Sequence, residues 1–256
     1  MSDTPRPANP AHTAQVLLLH PTKNIEVLTS FAAPDLTRLH HEDAILMVGA
    51  AMAKVVRWGG HLREPITVGH NALALYGAAR HLDRENDELH LAALLYGCEA
   101  AFGGEIQWGV VKHSAPWRAH QVACRRAVCA VLEIDPKTVE EQWGRIVGIQ
   151  SALTTAEKIV YGGRTQDPRG PQGAGPHANP AALREAYDLA LVIGWRSVAA
   201  WWCSHMLTFG PKVADDDLPT SWDMARDYYR KLGGIGVPGH EDLEDLGPMM
   251  EQIWTP

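Results

Sequence analysis

The stretch ELHLAALLYGCEAA, residues 88–101, decides the fold. It is dense in Ala and Leu, which favour helix most strongly, and it contains no Pro. It closes at Gly103-Gly104, so it reads as one helix from Glu88 to Ala101. Working outward gives more helices. Upstream, Asp83-Arg84-Glu85-Asn86-Asp87 is a turn, and Thr67 offers an N-cap for a helix over Gly69 to His81. Before that, Ile45, Leu46, Val48, Met52, Val55 and Val56 recur near helical spacing, and Gly59-Gly60 ends the helix. Downstream, Pro116 opens a helix at its first turn that runs to about Glu133. Asp135-Pro136 breaks it, and a long helix follows from about Val139 to Tyr161. Pro180 to Phe209 reads as one apolar helix carrying Trp195, Trp201 and Trp202, followed by weaker helices over Ser221 to Leu232 and Glu241 to Ile253. β-Branched alternation is weak and confined to Val16 to Val27. The expected fold class is all-α.

Composition narrows the function. The chain has 256 residues, 46% apolar and 21% charged, enough to bury a core without disulfide or metal staples. Its 23 Lys and Arg against 30 Asp and Glu give a net charge of −7, which argues against general nucleic-acid binding. No apolar run has the length of a membrane span. Residues 1–14 are Pro-rich and polar with no apolar signal region, and read as a disordered tail. The helical domain is expected over 15–161. GGRTQDPRGPQGAGPHANP, residues 162–180, reads as a mobile loop. The helices of 181–256 either pack on the bundle or form a homodimer surface. Cys98, Cys124, Cys129 and Cys203 form no CxxC pair and are expected as buried thiols in a reducing cytoplasm. Nine tryptophans point to aromatic-lined cores or pockets, and thirteen histidines make metal chemistry worth testing.

Several segments together resemble the HD-domain phosphohydrolases. Arg57-Trp58-Gly59-Gly60-His61, followed by Thr67-Val68-Gly69-His70-Asn71, resembles the family's Arg-aromatic entry and its "SVAxHS" helix start. Residues 94–106, LLYGCEAAFGGEI, align without gaps on its "LLHDAxEAYxGDI". Val110-Val111-Lys112 matches its "PLK", and residues 151–157, SALTTAE, resemble the segment after its last metal-binding Asp. The similarity covers roughly residues 20–160 and lies nearest bacterial HD-domain 5′-deoxynucleotidases and phage-encoded HD nucleotide phosphohydrolases. It implies an HD-like helical bundle.

The resemblance also implies a chemistry that these residues do not support. HD enzymes hold a divalent metal, such as Mn, Co, Zn or Mg, which polarises a phosphoryl oxygen and lowers the pKa of a water. Their ligands are a His, an adjacent His-Asp pair and a later Asp. Carried over, the first His is His70, the pair falls on Tyr96-Gly97 and the last Asp on Gln150. Glycine has no ligating side chain, and a neutral amide or phenol is a poor ligand. No metal cofactor is therefore expected, and His70 would be the one inherited ligand if one were bound. The family's acidic proton donor falls on Ala100, with Glu99 one position away as the substitute catalytic residue. The ligand grip is better preserved. Arg57 and Lys112 match phosphate-contacting positions and Trp58 an aromatic near base or sugar, with His61 and Arg63 as further contributors.

The leading expectation is thus a degenerate HD-fold protein that binds a nucleotide or similar small phosphorylated ligand through Arg57, Trp58, His61, His70 and Lys112. The alternatives are a working deoxynucleotide phosphohydrolase with a site rebuilt from His70, Glu99 and Glu105, and a non-catalytic interaction protein that presents its Trp-rich C-terminal helices. His40-His41-Glu42-Asp43 looks like a metal cluster but reads better as helix-start capping. Asp215-Asp216-Asp217 reads as a solvated turn.

Overall fold

The computed structural model describes residues 35–36, 38–106, 113–162, 177–210, 221–234 and 240–254. Lys112, the 1–14 tail, the 16–27 stretch, Asp215 to Asp217 and most of the 162–180 segment lie outside the described residues. Among the described residues there are ten α-helices and no strand. The all-α expectation holds. We number them α1 (His41–Met52), α2 (Val68–Leu82), α3 (Asp87–Leu94), α4 (Ala100–Gly103), α5 (Ala115–Val131), α6 (Pro136–Val160), α7 (Pro180–Ile193), α8 (Trp195–Leu207), α9 (Ser221–Lys231) and α10 (His240–Gln252). None of them is long and apolar enough to cross a membrane.

Helix α2 occupies the centre because its sequence is apolar nearly all round. Val68 to Leu75 and Gly77 to Ala79 are all buried. It packs against α3, α6, α8 and α10. Helix α8 is the second buried rod, with every residue from Ser197 to Met206 inside, packed mainly on α1 and α9. Trp202 ties it to α3 by donating its indole N–H to the Leu94 carbonyl at 2.9 Å. The caps follow the sequence. Thr67, Asn86, Ser114, Asp135 and Asn179 each accept a backbone N–H at a helix start, and α5, α6 and α7 carry Pro in their first turn. Glu42 and Asp43 sit in the first turn of α1, where acidic groups oppose the positive helix end.

Two expected helices are each broken by a glycine. The 88–101 stretch stops at Leu94 and resumes at Ala100, because Gly97 adopts φ +82°. The 180–209 stretch is split at Gly194, φ +81°, into α7 and α8. The four cysteines are free and buried. Trp201 and Trp202 are buried and Trp195 is half-buried.

Candidate functional site

Residues 55–57 run antiparallel to 66–68, which brings the Arg57 turn against the start of α2. The Arg57 N–H donates to the Ile66 carbonyl at 2.7 Å and the Val68 N–H to the Val55 carbonyl at 2.9 Å. The chain then turns sharply. Trp58 takes φ 59°, ψ 22°, a left-handed conformation that costs a non-glycine residue roughly 1–2 kcal/mol. Two carboxylates hold it there. Its backbone N–H donates to Glu105, and its indole N–H donates to Glu157 at 3.1 Å.

Glu157 is the centre of the site. It projects from α6, fully buried, and each oxygen has two donors. One accepts from Arg57 Nη2 at 3.0 Å and from Trp58 Nε1; the other accepts from Asn71 Nδ2 at 3.0 Å and Tyr187 O–H at 3.1 Å. A carboxylate buried this deeply is tolerable only with such compensation. Arg57 is itself buried and also faces Glu105 at 3.5 Å. Burial disfavours its charge, but Glu157 and Glu105 outweigh that and raise its pKa. The expected phosphate grip is therefore a structural cation whose charge is already balanced from within.

His70 is equally committed. It is the N3 residue of a capping box at α2. Its Nδ1 lies 2.6 Å from Thr67 Oγ1 and accepts the Thr67 backbone N–H at 3.3 Å. An Nδ1 that accepts a backbone N–H carries no proton, so the hydrogen-bond network assigns the proton of the neutral ring to Nε2. Burial keeps the ring neutral, lowering its pKa to about 4. Metal-binding histidines show the reverse arrangement, with the outer nitrogen donating and the inner lone pair on the metal. His70 Nε2 is buried with no protein partner.

The residues at the other positions of the implied metal site do not repair this. Tyr96 stacks on Trp143 at 5.5 Å, and burial raises its phenol to about 12. Gly97 contributes no side chain. Gln150 is buried, donates to Thr154 at 3.1 Å and leaves its Oε1 unpartnered. Glu99 accepts from Gln121 at 2.6 Å, and burial raises its pKa. It faces α5 rather than His70. Among the described residues no three His, Cys, Asp or Glu side chains come together to hold a metal ion. A set rebuilt from His70, Glu99 and Glu105 is thus not formed. This donor set does not fit a divalent metal.

The site does keep unspent polar capacity. Arg57 Nε, His70 Nε2, Asn71 Oδ1, Glu99 Oε2 and Gln150 Oε1 are buried without a protein partner. Asn71 of α2 meets Glu157 of α6 at 3.0 Å, the His70 ring lies 5.6 Å from that of Tyr187 in α7, and Gln150 is buried on α6 about two turns before Glu157. Trp58 is half-buried, with Lys158 Nζ 4.9 Å from its ring centroid. His61 and Arg63 are exposed nearby. His61 donates its backbone N–H to the Trp58 carbonyl, and Arg63 donates its own to the Tyr161 carbonyl, both at 3.1 Å. Glu64, also exposed, is the acidic neighbour.

Glu157, Asn71 and Tyr187 were not singled out by sequence reasoning. A signal existed for Glu157. Ile146, Ile149, Gln150, Leu153, Ala156, Glu157 and Val160 share helical spacing, so Gln150 and Glu157 sit on the apolar face of α6. No family model matches the chain, and searches of curated proteins and of solved structures find no match either.

Proposed function

We propose that this chain is a non-hydrolytic binding protein on an HD-like helical scaffold, taking a nucleotide or a similar small phosphorylated ligand. The observation that carries the reading is the set of buried, unpartnered polar atoms on His70, Asn71 and Gln150. Buried polar groups normally find partners, so His70 Nε2–H, Asn71 Oδ1 and Gln150 Oε1 call for a polar guest or for bound water. Arg57 and Glu157 cancel, which suits an uncharged base or sugar inside. The phosphate then belongs outside the buried pair, near Lys158 over the Trp58 ring and the exposed His61 and Arg63 that follow in the chain, with Lys112 added only by the resemblance. Arg57 is a positioning group that holds Trp58 through the shared carboxylate. Against turnover stand the occupied His70 Nδ1 and the absence of a ligating side chain at Gly97.

The test is thermal unfolding with deoxynucleoside monophosphates in excess EDTA, with phosphate release followed in parallel under Mn²⁺ and Co²⁺. Ligand at a hundredfold above its Kd adds about 2.7 kcal/mol of stability. Stabilisation without metal, lost in the Arg63→Ala/Lys158→Ala double variant and accompanied by no phosphate release, is expected. Metal-dependent phosphate release, or no stabilisation by any nucleotide, overturns the reading.

A further inference from the structure

A cavity lies between α2, α8 and α10. Its volume is about 340 Å³, at the lower end of the range that small-molecule sites occupy. One wall is aromatic. The His205 ring lies between those of Tyr76, at 4.5 Å, and Trp201, at 5.1 Å. Leu73, Leu246 and Met250 supply the apolar lining. The polar groups are few and paired: Arg80 Nε lies 3.1 Å from Glu251. That pair joins α2 to α10 and remains partly exposed, as a charged edge on a lining that is nearly half polar. The α10 wall is anchored just beyond its end, where Trp254 Nε1 donates to the Ala74 carbonyl at 2.9 Å. The backbone N–H of Asn179 fixes it on the other side, donating to the Ile253 carbonyl at 2.7 Å.

Charge decides what such a chamber accepts. The guanidinium of Arg80 is cancelled by Glu251, and burial beside Arg80 keeps His205 neutral, with its pKa lowered to about 3. A charged guest would have to compete for Arg80 or Glu251 with the partner each already has, at the cost of breaking that pair. An uncharged planar ring gains stacking against the aromatic wall. The Arg80–Glu251 edge presents donors and an acceptor side by side, so it pairs with a guest carrying the complementary acceptor and donor on one edge. We propose that this cavity is a binding site for an uncharged planar heteroaromatic molecule of one or two rings, bearing a hydrogen-bond donor and acceptor on the same edge.

The probes are adenine, which has such an edge, indole, which has the ring but no acceptor, and benzoate, which has the ring and a charge. Calorimetric titration of the full chain is expected to show adenine binding, at least tenfold tighter than either control. The Trp201 indole N–H cross-peak, assigned with Trp201→Phe, shifts on adenine addition and localises the event. Arg80→Met weakens adenine at least tenfold. The nearly isosteric Glu251→Gln does the same, and guards against a fold defect in the first variant. No adenine binding at 5 mM, binding of indole or benzoate as tight as adenine, or affinity unchanged in both variants overturns the proposal.

Discussion

At the scale of single residues, Glu157 organises the polar groups of the site around one buried charge. Removing that charge tests the view directly. Glu157→Gln leaves Arg57 buried with only the longer contact to Glu105, and breaking a buried pair from one side costs about 3–5 kcal/mol. Glu105→Gln leaves the 3.0 Å pair intact and costs about 1 kcal/mol. Urea unfolding of the two variants separates them, and equal losses contradict the central role of Glu157. The sequence made part of this legible. Arg57 and Trp58 stood out as an Arg-aromatic pair, but their partner lay a hundred residues away. A single Glu on the apolar face of α6 signals a buried cation without saying which one. His70 was legible as a helix-start histidine. Its tautomer was not, because the tautomer depends on a backbone N–H aimed at Nδ1.

At the scale of elements, the helices were legible from their periodicity and caps, and the two breaks were not. A lone Gly within a helical pattern is usually tolerated at about 1 kcal/mol, so Gly97 and Gly194 carried no clear stop signal. What decides the break is tertiary. At Gly97 an added Cβ would lie 2.8 Å from Val68 Cγ1, and the backbone is left-handed. At Gly194 the backbone has φ 81° and ψ 169°, an extended positive-φ conformation, and an added Cβ faces open space. Gly194→Ala is therefore expected to cost about 1–3 kcal/mol for the conformation alone. Gly97→Ala costs more, since α2 must give way as well, and a destabilised start of α2 also disturbs the His70 cap. Thermal unfolding of both variants checks the order. A Gly97→Ala protein as stable as wild type contradicts the packing of Gly97 on Val68.

At the scale of the whole molecule, two buried neutral histidines make stability depend on pH. His70 and His205 have folded-state pKa values lowered to about 4 and about 3, against 6.5 for an unperturbed ring. The unfolded chain binds protons first as pH drops, so their stabilisation is complete above about pH 6.5 and is lost as pH falls toward 4. For His70 alone the full loss is about 3 kcal/mol. Glu99 and Glu105 oppose it, because burial raises their pKa values and the folded state then takes up protons ahead of the unfolded chain. The difference between variants isolates the histidine contribution. In His205→Phe, the fall in Tm between pH 7 and pH 4.5 is expected to be smaller than in wild type. An equal fall means that His205 is already charged or exposed in the folded protein.

With the Thr67 N–H aimed at Nδ1, the α2 cap holds His70 as the Nε2–H tautomer, which offers no free lone pair to a metal. Long-range ¹H–¹⁵N correlation of the His70 ring at pH 7.5, before and after equimolar Zn²⁺, reads that state. The predicted spectrum has the proton on Nε2, with both nitrogen signals unmoved by the metal. A proton on Nδ1 together with an Nε2 signal that shifts on Zn²⁺ addition contradicts it, and returns the site to metal chemistry.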